Sequence, residues 1–214
     1  MRRNTSFHIA AVFCLVGLVS ACRPQGASNE DACARSRCVT VEDDDGTSPL
    51  GVVEDGRGTN GGYVVMCRLV VRRPARGSAP GFTSETVAQA GQVTILDGTL
   101  AEVVRCEHAN GHTVAVLRMD PPEHLWAVPD PASVFVPLEV TSTRLEDGAR
   151  LHAGITYADG NVCLAIARPG DEERHHCDLR VGDTFPSGAK QAAVVRIVRP
   201  TPTFVGWIEL AIRN

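Results

Sequence analysis

The chain is poor in aromatic and lysine side chains, and both shortages narrow the partners that it suits. Its 214 residues include 2 Trp, 2 Tyr and 6 Phe, and Lys190 is its single lysine. Aromatic side chains stack on the bases of single-stranded nucleic acids and line most small-molecule pockets. Acids also outnumber bases, with 25 Asp and Glu against 21 Lys and Arg. We therefore predict no nucleic acid partner.

Short catalytic motifs are also lacking. The sequence contains no G-x-S-x-G, no H-E-x-x-H, no C-x-x-C and no P-loop, the signatures of several large enzyme classes. An active site assembled from distant loops would escape such a search. A non-catalytic protein is therefore the favoured interpretation.

Only one long apolar run is present, and it lies near the first residue. Arg2 and Arg3 precede an apolar stretch, Phe7 to Val19, which is followed by the small residues Ser20 and Ala21. This order is typical of a secretory signal peptide. The apolar part, about 13 residues, is shorter than the roughly 20 residues that span a bilayer. We predict that residues 1–21 are a signal peptide.

The residues around the predicted cleavage site resemble a known processing motif. Val19-Ser20-Ala21-Cys22 resembles the lipobox of bacterial lipoproteins, although the family prefers Leu at the position of Val19. In that family the cysteine thiol receives a diacylglyceryl group, cleavage occurs before the cysteine, and the new amine is usually acylated, as with palmitate. The resemblance implies that Cys22 is lipidated and anchors the chain to a membrane. It covers only about the first 22 residues and implies no activity.

Two details complete this interpretation. Val19-Ser20-Ala21 also suits an ordinary secretory cut, which would leave Cys22 as a thiol in a soluble protein. In Gram-negative lipoproteins the residue after the cysteine influences sorting, and Arg23 is not the Asp of inner-membrane retention. The resemblance therefore implies the outer membrane if the host is Gram-negative. Removing residues 1–21 takes away two arginines and no acid, so the net charge changes from −4 to −6.

The number of cysteines favours the same interpretation. The chain has 8 cysteines; Cys14 leaves with the signal peptide, and lipidation of Cys22 leaves an even number for disulfides in an oxidising compartment. Close spacing favours a Cys33 to Cys38 bond, and a fold-back at Pro169-Gly170 favours a Cys163 to Cys177 bond. The sequence allows other pairings. We predict these two bonds together with one between Cys67 and Cys106.

The segment after the anchor has the composition of a linker. Residues 22–61 are rich in Gly, Ser, Pro and Asp and include the acidic run Glu42-Asp43-Asp44-Asp45. A calcium loop in this register would place Val41 and Val52 where carboxylates are needed. We therefore predict a flexible, solvated acidic tether.

Residues 62–214 have the pattern of an all-β domain. Short Val, Ile and Leu runs alternate with Gly, Pro, Asp and Asn, which indicates an antiparallel β-sandwich or barrel-like region. One short helix is expected at Ser84 to Ala90. Prolines near residues 128–132 indicate a break that would divide the region into two small subdomains. The predicted strands are Tyr63 to Arg72, Gln92 to Leu96, Leu100 to His108, His112 to Met119, Val134 to Leu145, Arg150 to Tyr157, Val162 to Arg168, Cys177 to Val181, Gln191 to Val198 and Thr203 to Ile212.

The last predicted strand alternates in polarity. Ile208, Leu210 and Ile212 share one face with Phe204, while Glu209 lies on the other. Trp207 shares the more polar face. It packs against a neighbouring loop or contacts a partner, and packing is the favoured interpretation.

The stretch "CEHANGHT" combines a hairpin signal with potential metal ligands. Asn110-Gly111 favours a tight turn, and two registers are compatible with it. A two-residue turn places Ala109 opposite His112. A three-residue loop pairs His108 with His112, and we predict this register. The two histidines are then weak metal candidates, because an oxidised Cys106 leaves too few ligands for zinc; we predict no metal and no other cofactor.

Together these patterns predict a lipid-anchored cell-envelope protein that acts as a non-catalytic binding or structural module with an envelope protein partner. The alternative is an exported, hydrolase-like enzyme with a loop-assembled active site. Its candidate residues are His108, His112, His124 and His152. A concave pocket that holds a histidine against a carboxylate and a nucleophile would favour the enzyme.

Overall fold

The computed structural model describes an all-β protein over residues 33, 37–54, 57–59, 62–64, 66–76, 80–119, 133–138, 142–156, 159–187 and 190–213. Within these residues, no helix has the length and apolar character needed to cross a membrane. The strands are β1 (Cys38–Val41), β2 (Leu50–Glu54), β3 (Arg57–Thr59), β4 (Gly62–Val64), β5 (Cys67–Arg73), β6 (Phe82–Ala88), β7 (Val93–Leu96), β8 (Thr99–Ala109), β9 (His112–Met119), β10 (Val134–Pro137), β11 (Ser142–Leu145), β12 (Arg150–Ile155), β13 (Val162–Ala167), β14 (Arg174–His176), β15 (Thr184–Ser187), β16 (Lys190–Val198) and β17 (Trp207–Arg213).

The largest sheet has seven antiparallel strands in the order β14-β13-β12-β11-β6-β5-β2. Successive side chains of a strand point to opposite faces, and one face of this sheet carries buried residues such as Leu69, Leu151 and Leu164. Strands from both sides of the expected break share the sheet, because β6 pairs with β11. Residues 128–132 themselves lie outside the described residues.

The other strands form two four-stranded sheets, β1-β9-β8-β7 and β10-β17-β16-β15, and the separate β3-β4 hairpin. The seven-stranded sheet and both four-stranded sheets contribute to one apolar cluster, which includes Leu69, Leu117 and Ile208. Hydroxyl groups also join the sheets. Thr143 of β11 donates a hydrogen bond to the carbonyl of Phe135 in β10 at 2.9 Å. The architecture is therefore sandwich-like.

The helix expected at Ser84 to Ala90 is wrong, because this stretch lies mainly in strand β6. Phe82, Ser84 and Thr86 are buried, while Thr83 and Glu85 between them are partly exposed. That is the two-residue alternation of a strand, and β-branched residues favour it.

Other strand boundaries also differ from the prediction. The run from Val134 to Leu145 is not one strand. It contains β10 and β11, which belong to different sheets because they are hydrogen-bonded to different neighbouring strands. The strand expected at Cys177 to Val181 lies earlier, at Arg174–His176. The strand His112–Met119 is confirmed.

The predicted tether is wrong for residues 37–54. β1 pairs with β9, and β2 pairs with β5. Val41 and Val52 are buried in the core. Composition favoured a linker, but pairing with strands that come later in the chain satisfies the backbone of this segment. Residues 22–32 lie outside the described residues.

Strand β17 is hydrogen-bonded along both edges, to β10 and β16, and four consecutive residues, Trp207 to Leu210, are buried, so both of its faces are covered. Trp207 is buried, which confirms the packing interpretation. The face that carries Glu209 is buried as well. The Glu209 side chain is 1% exposed, and its Oε2 lies 3.3 Å from Nε of Arg196.

All three predicted disulfides are present: Cys33–Cys38, Cys67–Cys106 and Cys163–Cys177. The second joins β5 of the seven-stranded sheet to β8 of another sheet. The third links β13 to the residue after β14. Such a set indicates an exported protein in an oxidising compartment.

Candidate binding face

The hairpin between β8 and β9 has a two-residue turn, so the predicted three-residue loop is wrong. Ala109 lies opposite His112. Asn110 and Gly111 have φ angles of 56° and 79°, as a type I′ turn requires, and this turn matches the natural twist of paired strands. The register shifts between Val103 and Arg105, which brings Glu102 opposite Arg118.

This register separates the two histidines of the hairpin. Nδ1 of His108 lies 3.0 Å from Oγ1 of Thr113, and Nδ1 of His112 lies 2.9 Å from Oδ2 of Asp43. His108 lies opposite Thr113, the chain neighbour of His112; because successive side chains of a strand point to opposite faces, the two imidazoles belong to opposite faces of the hairpin. In the part of the chain that the structure describes, no group of three His, Cys, Asp or Glu side chains is placed to hold a metal ion.

The acidic run Glu42 to Asp45 was expected to be solvated, but its aspartates form hydrogen bonds within the fold. The carboxylate of Asp43 accepts a hydrogen bond from the backbone N–H of Thr113 at 2.6 Å. This bond and the contact with His112 lower the pKa of Asp43. Asp45 accepts bonds from the backbone N–H groups of Thr47 and Ser48, which lower its pKa to about 2. The signal for this turn was present in the sequence as Asp followed by Gly, Thr and Ser.

Asp44 binds an arginine through both of its carboxylate oxygens. Its two carboxylate oxygens accept hydrogen bonds from Arg72 at 2.7 and 2.6 Å, a two-pronged pairing that lowers the pKa of Asp44 and raises that of Arg72. The backbone N–H of Asp44 donates to the carbonyl of Val52 at 2.9 Å. Gly51 is required beside this pair, because a Cβ there would lie 2.6 Å from Oδ1 of Asp44.

Arg72 begins a line of polar residues across four adjacent strands, which we call the arginine row: Arg72, Thr83, Arg144 and Arg150. Arg72 lies opposite Thr83, Thr83 opposite Arg144, and Arg144 opposite Arg150. Directly opposed residues point to the same face of a sheet. The row therefore lies on the outer face of the seven-stranded sheet, away from the core.

Arg144 and Arg150 are an unusual pair, because like charges directly opposite each other destabilise a sheet. Both side chains are exposed. Other arginines of this face have acidic partners: Arg72 binds Asp44, and Arg68 lies 3.9 Å from Glu85. Among the described residues, no carboxylate pairs with Arg144 or Arg150. These two guanidinium groups can accept an external anion.

A cleft of about 530 Å³ lies beside the arginine row. Arg72, Thr83 and Arg144 line it together with Thr47, Pro49, Arg73, Pro74, Phe82, Leu145, Glu146 and Gly148. Glu146 is already engaged, since it accepts a hydrogen bond from the backbone N–H of Ala75 at 3.1 Å. Arg73 is buried, with its guanidinium 4.3 Å from the ring centre of Phe82. The cleft therefore joins hydrogen-bond donors to an apolar wall.

The histidines proposed for an enzyme do not meet in this cleft. His152 lies opposite Ser142 on the open outer face of the sheet and is exposed. His108 and His112 lie at the hairpin tip of another sheet, and His124 lies outside the described residues. None of these three described histidines lies in a pocket that holds the imidazole against both a carboxylate and a nucleophile.

Residues 56–61 follow the spacing G-x-G-x-x-G, which in dinucleotide-binding proteins joins a strand to a helix. Here β3 and β4 pair as antiparallel strands, with Thr59 opposite Gly62. Among the described residues of this spacing, Gly58 therefore lies in a paired strand and not at the start of a helix. No family model, no curated protein and no solved structure matches this chain.

Proposed function

We propose that this chain is a lipid-anchored cell-envelope protein with a non-catalytic binding domain, and that the arginine row and its cleft form the binding face. The observation that carries this proposal is the pair Arg144 and Arg150, which are exposed and directly opposed. Such a pair costs stability unless an anion neutralises it. Residues that break a local rule of stability are commonly functional.

The cysteines support the anchor. Six cysteines are consumed by the three disulfides, and Cys14 leaves with the predicted signal peptide. Cys22 then has no other cysteine of the same mature chain to pair with. A lipidated Cys22 accounts for this residue, and a doubly or triply acylated cysteine holds a protein stably at a membrane.

The proposed location follows from the same residues. Arg23 after the lipidated cysteine favours the outer membrane if the host is Gram-negative. The eleven residues from Cys22 to Cys33 span at most about 40 Å when fully extended. The domain is then tethered near the membrane with its binding face available to an envelope protein.

The anchor is tested by intact mass and by membrane fractionation. We expect the wild-type chain to lack residues 1–21, to carry acyl mass, and to sediment with membranes. Cys22→Ala should move the protein to the soluble fraction, because Val19-Ser20-Ala21 still permits an ordinary secretory cut. Cys14→Ala is the matched control and should behave as wild type. A mature wild-type chain with an unmodified Cys22 would exclude the anchor.

The binding face is tested by photo-crosslinking in native membranes. A crosslinking amino acid at Thr83, between Arg72 and Arg144 in the row, should give a discrete protein adduct. The same probe at Val181, which is 65% exposed and lies outside the row, should not. Identical adducts from both positions, or none from Thr83, would show that the face does not bind a partner.

A further inference from the structure

We infer that the binding face recognises a carboxylate-rich peptide segment of its partner protein. This inference rests on the proposed function and names the chemistry of the ligand. The structure itself contains the relevant example, because one acidic segment of this chain already occupies one end of the arginine row.

The intramolecular example is the run that contains Asp44. Its carboxylate binds the guanidinium of Arg72 through both oxygens. This geometry suits planar carboxylates, and the charges on both groups make the hydrogen bonds about twice as strong as neutral ones. The backbone of the same run bonds to β2, because Val52 donates to the carbonyl of Glu42 at 3.2 Å and accepts from Asp44.

At the other end of the row, Arg144 and Arg150 can form the same kind of contact with a carboxylate. Among the described residues, no acid of this chain pairs with them. Neighbouring strands lie about 4.8 Å apart, so Arg144 and Arg150 lie about one strand spacing apart and Arg144 lies about two from Arg72. Alternate side chains of an extended peptide are roughly 6.6 Å apart. The long arginine side chains can therefore meet two acidic residues of one extended segment.

Charge and shape favour a peptide over other anions. The mature chain carries a net charge of −6 after removal of two arginines from the −4 of the full chain, which repels a long polyanion outside this face. The cleft beside the row is concave and has Pro49, Pro74 and Leu145 in its wall. A flat lipid surface does not enter such a cleft, whereas the apolar side chains of a peptide do.

The test measures binding of a fluorescein-labelled peptide of about ten alternating Glu and Gly residues by fluorescence anisotropy. The protein is the full mature chain with Cys22→Ala, so that the anchor does not interfere. We expect saturable binding that weakens with added salt, and no binding of the matching Gln and Gly peptide. Arg144→Gln with Arg150→Gln should weaken binding by about tenfold or more, because charge-assisted bonds are lost.

A charge-matched control is Arg105→Gln with Arg213→Gln, which removes two exposed arginines from other sheets; binding should change by less than about twofold. Thr83→Glu should also abolish binding, since it places a carboxylate within the row. Urea midpoints near that of wild type would show that each variant is folded.

Three results would overturn the inference: equal losses in the two double variants, binding to phosphatidylglycerol vesicles but not to the Glu peptide, or displacement of the Glu peptide by inorganic phosphate at submillimolar concentration. The second result would assign the face to lipid headgroups, and the third to a small phosphate ligand. If the Glu peptide fails while Thr83 still gives its specific protein crosslink, the binding module stands and only the ligand chemistry is wrong.

Discussion

The carboxylate of Asp44 and the guanidinium of Arg72, 28 residues apart in sequence, share two hydrogen bonds. This pair joins the segment between β1 and β2 to strand β5. It also neutralises the first arginine of the row and leaves Arg144 and Arg150 as the part available to a ligand. This contact thus stabilises the fold and marks one end of the proposed binding face.

Loss of this pair should weaken the fold measurably. Asp44→Asn removes the charge opposite Arg72, and the side chain of Asp44 is only 12% exposed. We expect the free energy of unfolding to fall by about 1.5–3 kcal/mol, the usual contribution of hydrogen bonds to charged groups. Urea denaturation measures it. Glu42→Gln, at an exposed position of the same run, is the matched control, and an equal loss there would contradict the assignment.

Stability should decrease in acid because of the same run. The pKa of Asp43 is lowered chiefly by the N–H of Thr113, that of Asp44 by Arg72, and that of Asp45 to about 2 by backbone N–H groups. The unfolded value is about 3.9. Because all three folded pKa values are lower than this, the stabilisation is complete above about pH 5 and is lost as the pH falls through the folded pKa values, of which that of Asp45 is about 2.

The urea midpoint measured from pH 7 to pH 2 checks this expectation. Asp44→Asn should make the decrease shallower, because one of the carboxylates with a lowered pKa is gone. Glu42→Gln should leave the slope as in the wild type. Parallel curves for the wild type and Asp44→Asn would contradict a stabilising role of this carboxylate.

The three disulfides should differ in their contribution. Their sequence separations are 39 residues for Cys67–Cys106, 14 for Cys163–Cys177 and 5 for Cys33–Cys38. A disulfide that closes a longer loop restricts the unfolded chain more. The three bonds should therefore raise the free energy of unfolding by about 4, 3 and 2 kcal/mol in that order. Paired Cys→Ala variants, each studied by urea denaturation, test this ranking. A Cys33 and Cys38 variant that is the least stable of the three would reverse it.

Local patterns predicted many elements of the fold. Alternating apolar residues predicted the strand His112–Met119 within its observed bounds, and short spacing predicted the Cys33–Cys38 and Cys163–Cys177 bonds. These features depend on residues close together in the chain. Asn110-Gly111 likewise predicted a hairpin, but not its register, since the shift near Val104 depends on how the whole strand pairs.

Composition was misleading where distant strands supply the stabilisation. The segment Glu42 to Asp45 has the polarity of a linker, yet each of its three aspartates binds a partner in the fold. Thr113 and Arg72, which fix this segment, come later in the chain. No local sequence pattern in residues 22–61 predicts these contacts.

By itself the sequence determined the all-β character, the closely spaced pairs Cys33–Cys38 and Cys163–Cys177, and the resemblance of Val19-Ser20-Ala21-Cys22 to a lipobox, because each depends on residue type and short spacing. Only the tertiary structure decided that Arg72, Arg144 and Arg150 lie in one row. Arg72 is far from Arg144 and Arg150 in the chain, and strand pairing between β5, β6, β11 and β12 brings the three together. Side-chain direction along a strand has a period of two, so that register alone places all three charges on the open face.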